Sequence, residues 1–245
     1  MKDTKNQLIF IGDIHGCYSR LSYDIHHYDY RDSYLFQLGD WGIGFHRPNY
    51  YKTELSKLNN KLVERNIHLY AGKGNHDNPE YFQETNNPFD LSNITLLKDY
   101  SELNLLDQNI LWVGGAISID REWRIKENKE FQKRRDERRL WWPDEVFVYK
   151  DDFDYKKYDI VATHTRPANA GAFKGFGNIQ KFLDGDDTLK EELIQESEDV
   201  EKLWHKTKPK HWYYGHFHES LVTKCEETVF RCLNIDEHFE HRIEK

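Results

Sequence analysis

Again and again in this chain a short apolar run breaks and then presents an aspartate, an asparagine or a histidine. The first instance is LIFIGDIHG, Leu8 to Gly16, where four apolar residues meet Gly12 and deliver Asp13 and His15. SYLFQLGDWG, beginning at Ser33, delivers Asp40. Ile67 to Ala71 leads into GKGNHDNP, with Asn75, His76 and Asp77 between Gly74 and Pro79. DIVAT, Asp159 to Thr163, delivers His164, and KHWYYG, Lys210 to Gly215, delivers His216 and His218 in GHFH. Short apolar runs bounded by glycine read as strands buried on both faces, as in a parallel sheet. In open α/β sheets ligands gather where such strands end, so the residues after the breaks are placed for chemistry.

The intervening segments fit that frame. Tyr18 to Tyr28 has a helix face at Leu21, Ile25 and Tyr28, and Asn49 to Asn66 has one at Leu55, Leu58, Leu62 and Val63. His26 and His27 sit at no strand end and read as helix-face residues. Ile94 to Leu97, Ser101 to Leu106 and Ile110 to Val113 read as further strands, the last entering the glycine-marked GGAISID. Ala168 to Gly185 reads as a long loop. A helix is expected from Thr188, where Thr188 and Glu191 have the capping-box spacing. Leu221–Cys225 and Thr228–Asn234 read as a hairpin. No repeat, low-complexity tract or linker appears, so residues 1–245 are expected to form a single domain.

Composition excludes several classes. The net charge of −8 leaves no overall electrostatic footprint for nucleic acid. Between Asp120 and Arg139 there are nine Lys/Arg against six Asp/Glu. That segment reads either as a solvated, ion-paired helix or as a basic lip drawing in an anionic substrate, with Arg121 and Arg124 facing phosphate. Cys17, Cys225 and Cys232 are odd in number with no CxxC spacing, which argues against a disulfide framework and a thiolate metal site. No apolar run approaches the ~18 residues of a membrane span, and the N-terminus shows no signal-peptide pattern. The expectation is a soluble, cytoplasmic protein with no membrane partner.

Each polar loop alone is unspecific, since an Asp-x-His pair can be a turn satisfying its own backbone. The series is not. Asp13, His15, Asp40, Asn75, His76, His164, His216 and His218 are too many ligands for one ion and about right for two cations sharing a carboxylate. Mixed Asp, His and Asn donors suit divalent ions, Mn foremost, with Fe, Zn, Co or Ni as alternatives. The spacing of His216 and His218 would put both imidazoles on one side of an extended segment.

GDIHG, GDWG, GNHD, the lone His of THTRP and GHFH, in that order, resemble the five blocks of the calcineurin-like metallophosphoesterase superfamily; the match runs from Gly12 to His218. The resemblance implies a four-layer α/β/β/α sandwich of two mixed β-sheets flanked by helices. It also implies a dinuclear centre in which Asp13, His15 and His218 hold one metal, Asn75, His164 and His216 the other, and Asp40 bridges both. His76 would be the general acid, facing the scissile ester without binding metal. The second block departs from the GDxVDRG of the protein Ser/Thr phosphatases: here it is GDWGIGF, lacking the Asp that orients the catalytic His and the Arg that holds phosphate. Asp77 stands in as the candidate orienter, and Arg121, Arg124 or Arg166 as the phosphate clamp.

The implied activity is metal-dependent hydrolysis of a phosphoester, by a phosphatase or a phosphodiesterase, on a phosphorylated substrate of undetermined class. Two alternatives stay open at this level: a nuclease or cyclic-nucleotide phosphodiesterase, and a non-catalytic metal-carrying scaffold.

Overall fold

The computed structural model describes residues 5–83, 89–136, 138–170 and 179–243. In chain order the elements begin β1 (Gln7–Ile11), α1 (Tyr18–His27), β2 (Ser33–Gln37), α2 (Pro48–Glu64), β3 (Ile67–Ala71), α3 (Glu80–Gln83) and β4 (Ile94–Leu96). There follow β5 (Ser101–Leu105), β6 (Gln108–Val113), α4 (Arg121–Lys133), β7 (Ile160–Thr163), α5 (Ile179–Leu183) and α6 (Leu189–Thr207). The last are β8 (His211–Tyr214), β9 (Leu221–Cys225), β10 (Thr228–Cys232) and β11 (His238–His241).

Two mixed sheets result, ordered β11-β1-β2-β3-β4 and β5-β6-β7-β8-β10-β9. Strands β1 to β4 run parallel in the first, and β6, β7, β8 and β10 in the second; β11, β5 and β9 pair antiparallel at the edges.

The alternation of side chains along each strand builds the layers. Leu8, Phe10 and Phe36 point inward and meet Ile110, Trp112, Ile160 and Tyr213 of the second sheet. Ile9, Ile11, Leu35 and Leu69 point the other way, onto Leu21, Ile25, Leu55 and Leu62 of α1 and α2. On the far side Leu111, Val161 and Trp212 cover Val200, Leu203 and Trp204 of α6. Burying each such side chain contributes about 1.5–3 kcal/mol, and a one-residue slip would exchange the two faces, so the register is held firmly. The arrangement is a helix–sheet–sheet–helix sandwich.

Two expectations are corrected, and one strand is new. The stretch from Ala168 to Gly185 is not all loop: Ile179–Leu183 is a helix, while residues 171–178 lie outside the described ones. Thr188 precedes α6 without capping it by a side-chain bond. Its hydroxyl is taken by Glu192 and Asp186, and Asp186 itself accepts from the Thr188 and Leu189 backbone N–H groups. Strand β11 was unforeseen, because HFEH carries no apolar alternation and owes its strand state to pairing with β1. No helix among the described residues is long and apolar enough to cross a membrane.

Candidate metal centre

The loops that leave β1, β2, β3, β7 and β8 meet at one edge of the two sheets, stitched by backbone bonds. Ile14 and His15 donate N–H to the Asp40 carbonyl, Gly16 donates to Trp41, and Gly215 donates to His164. The loops are bent hard. His15, Asp40, His216 and His218 all lie at positive φ, 45°, 55°, 66° and 50°. Non-glycine residues avoid that region at a cost of about 1–2 kcal/mol each, and such strain clusters at functional sites. The His216–His218 segment is therefore a tight turn, not the extended pair expected.

The turns bring the side chains together. One ligand atom from each of Asp13, His15, Asp40 and His218 lies within 4.8 Å of the others. His218 Nε2 is 3.1 Å from Asp13 Oδ2 and 3.1 Å from His15 Nε2. His164 Nε2 is 3.1 Å from Asp40 Oδ1 and 3.1 Å from Asn75 Oδ1. The His216 ring lies 5.0 Å from that of His164, and its backbone N–H donates to Asp13. Asp13, Asp40, Asn75, His164 and His216 are buried, and His15 and His218 form the open side.

These residues fit cations. The Leu38 carbonyl 2.8 Å from His164 Nδ1 can only accept, so Nδ1 carries the proton. A neutral His164 then turns the bare lone pair of Nε2 toward two oxygens, an arrangement a cation would satisfy. A buried imidazole oriented by a backbone carbonyl is the usual support of a metal ligand. Without a metal, burial lowers the His164 imidazole, but Asp40, Asp13 and the Leu38 carbonyl together outweigh it and push His164 up to about 9. The Asn75 amide is turned the same way, because its Nδ2 donates to Ser118 Oγ at 2.9 Å. Glycine keeps the space open: a Cβ on Gly74 would sit 2.1 Å from Asp40 Oδ1, and one on Gly215 2.2 Å from Asp13 Oδ1.

A cavity of about 270 Å³ opens onto the cluster, lined by Asp40, Asn75, His76, Arg124, His216 and His218 among others. A larger one, about 650 Å³, beside the start of β8 shares no lining residue with it. His76 packs edge-on against His15, ring centroids 4.8 Å apart, and its backbone N–H donates to Asp40 at 2.8 Å. Burial pulls its imidazole down to about 4, so it is neutral at pH 7 before an anion arrives.

The other assignments divide. Arg124 Nη2 lies 2.6 Å from His76 Nε2, and its Nε lies 2.7 Å from Asp120. Arg121 is spent elsewhere, on Asp186, Thr188 and Glu192, so it does not face the cluster. Arg166 packs over the Phe217 ring and does not line the cavity. Asp77 does not orient His76: its carboxylate accepts the backbone N–H groups of Trp41, Gly42, Ile43 and Gly74, tying the β2 loop to the β3 loop. Ser118 was missed, although GGAISID marked a strand end at that place.

The family model described as calcineurin-like phosphoesterase matches residues 7–220, across every loop of this cluster. The chain belongs to that family. No curated protein matches it significantly. One crystal structure aligns over 97% of this chain and 99% of its own at 11% identity, TM-score 0.50. TT1561 of Thermus thermophilus aligns over 95% and 90% at 14% identity, TM-score 0.47. The phosphopantetheinyl hydrolase PptH of Mycobacterium tuberculosis aligns over 96% and 91% at 12% identity, TM-score 0.42. The first of these supports the shared fold and nothing finer. For a calcineurin-like phosphoesterase, two mixed sheets with polar loops at one edge are the expected frame, and metal-dependent phosphoester hydrolysis is the activity the family suggests.

Proposed function

We propose that this chain is a hydrolase of phosphoesters that works with two divalent cations, Mn foremost. The observation that carries the reading is the convergence of Asp40 with His164 and Asn75 on one side and with His15, His218 and Asp13 on the other. Asp13, His15 and His218 would hold one ion, Asn75, His164 and His216 the second, and Asp40 both. When bound, such a pair supplies a water of lowered pKa and neutralises charge on the phosphoryl oxygens.

The rest falls to the chain. Arg124, its Nε beside Asp120 and its Nη2 facing the cavity, is the phosphate clamp absent from the GDWGIGF block. Its contact with His76 gives way when a phosphoryl oxygen takes the guanidinium, which frees His76 Nε2. The incoming negative charge raises the imidazole, so the freed Nε2 takes up a proton from solvent and His76 then hands it to the departing alcohol oxygen, an effect worth ~10²–10⁴-fold. Packing against His15 and Phe45 orients the ring in place of a carboxylate.

Of the nine basic residues between Asp120 and Arg139, Arg121, Arg124, Lys133 and Arg138 pair with acids of this chain, which lowers the charge this segment offers a polynucleotide. The test is turnover of an aryl phosphate that a chelator abolishes, Mn²⁺ restores and Asp40→Asn removes. Metal-loaded protein that cleaves neither monoesters nor diesters would sink the proposal.

A further inference from the structure

The cavity at the cluster does not end there. Ile119, Asp120 and Phe182 line it, and the same three residues form one side of a second cavity of about 400 Å³. Trp123, Lys181 and Glu122 help complete that second space among the described residues. Its character is different. The metal-side cavity is walled by imidazoles, two carboxylates, an amide and a guanidinium besides the shared Ile119 and Phe182, whereas this one adds the ring of Trp123 to those two apolar faces. Trp123 stands 56% exposed, a large ring left toward solvent beside a polar site. Cavities of several hundred Å³ with apolar walls and a few polar groups are the usual form of a small-molecule site.

One wall is also braced. Trp123 belongs to α4 and Phe182 to α5, and just beyond the cavity α4 is tied to the segment that follows α5 and to α6. Arg121, in the first turn of α4, puts Nε 2.5 Å from Asp186 and Nη2 2.9 Å from the Thr188 hydroxyl, and pairs with Glu192 as well. That guanidinium is 12% exposed, so the tie is largely sheltered from water. The arginine first expected to face phosphate thus anchors the start of α4, beside Trp123, to the chain that leaves α5.

We infer that the organic half of the substrate carries a flat, apolar or aromatic ring that lies in this second cavity against Trp123 and Phe182, while the phosphoryl group meets His76, Arg124 and the cluster. The inference rests on the phosphoester-hydrolase reading. An ester seated at Arg124 has its remainder beside Ile119 and Phe182, which belong to both cavities. Hydrolysis forms one P–O bond from water and breaks the bond to the ring-bearing alcohol. The departing oxygen takes one proton, and water's other proton stays with inorganic phosphate. Stacking on an aromatic side chain is worth roughly 5- to 150-fold in affinity.

The experiment compares ethyl, 2-phenylethyl and 2-(1-naphthyl)ethyl phosphate on Mn²⁺-loaded full-length protein, because their leaving alcohols are alike and only the ring differs. KM is expected to fall about 10-fold or more from ethyl to naphthylethyl, and Trp123→Ala to collapse that ratio toward one, with Trp123→Phe keeping most of it. In parallel, 2-(1-naphthyl)ethanol is titrated by calorimetry into metal-free protein and into both variants. Equal KM values for the three esters, with a Trp123→Ala ratio like the wild type, overturn the inference and leave the hydrolase reading standing. Trp123-dependent binding of the alcohol by protein that cleaves no ester supports the cavity and removes the hydrolase reading. Absence of both overturns both.

Discussion

Arg124 reaches across from α4 to put Nη2 2.6 Å from His76 Nε2, joining a helix residue to one on the loop after β3. The pair stands where an ester would lie, between the cluster and the apolar cavity. Arg124→Ala is expected to lower kcat/KM for phosphomonoesters roughly 10²-fold, the usual effect of removing one charge-directed donor. Arg124→Lys should recover part of it, because an ammonium supplies charge without the planar fork. Steady-state kinetics decide; a loss below about threefold in Arg124→Ala would show that phosphate is held by something else.

His76 as proton donor predicts a dependence on the leaving group. His76→Ala should slow alkyl phosphates by ~10²–10⁴-fold and p-nitrophenyl phosphate far less, since the nitrophenolate departs without a proton. Equal losses on the two would remove the acid role while leaving the metal reading intact.

Gly74 leaves room for Asp40. In Gly74→Ala the new methyl carbon would fall 2.1 Å from Asp40 Oδ1 and 2.7 Å from His164 Nε2, so both must shift. Metal affinity is expected to fall at least ~10-fold, as when groups supporting metal ligands are disturbed. Calorimetric titration with Mn²⁺ measures it, and circular dichroism checks that the sandwich persists. Undiminished affinity would separate Asp40 from metal binding.

Asp77 is a prediction about stability. Asp77→Asn places an amide NH₂ among four backbone N–H groups that the carboxylate accepted. The loss should be about 1–3 kcal/mol, or roughly 2–10 °C in Tm for a chain of this size. Thermal unfolding checks it, and a Tm within about 1 °C of the wild type would refute the tie.

Glu196, on the buried face of α6, gives a pH signature. Burial raises its carboxyl from 4.5 to about 7, and one oxygen has no hydrogen-bond partner. Between those values the unfolded chain is ionised there while the folded one keeps its proton, so stability falls as pH rises from about 4.5 to 7 and levels above. Glu196→Gln lacks that slope. Its stability relative to the wild type should improve by about 3 kcal/mol between roughly pH 4.5 and pH 8. Denaturant unfolding at both pH values tests this, and a constant difference would place Glu196 outside the titration.

Much of the architecture could be read from local pattern. The β3 strand at Ile67–Ala71 and the α2 helix fell where their periodicities put them, because burial on two faces or on one stripe leaves a mark in consecutive residues. What lacked such a mark was missed. Strand β11 is polar and exists through its ladder to β1, and Thr188 lost its capping role to a carboxylate two residues earlier.

The site divides along the same line. Which residue types end the strands, and in what order, was determined by the sequence alone: Gly12 before Asp13, Gly74 before Asn75, Gly215 before His216 are local facts of backbone turning. Tertiary structure alone decided who meets whom. Asp77 was drawn to the backbone of the neighbouring loop, Arg121 was captured by Asp186 and Glu192, and Arg124 came to lie on His76. Those outcomes depend on how two sheets stack and how α4 crosses their edge. Linear spacing does not encode contacts between residues dozens of positions apart, since burial and charge pairing act through space.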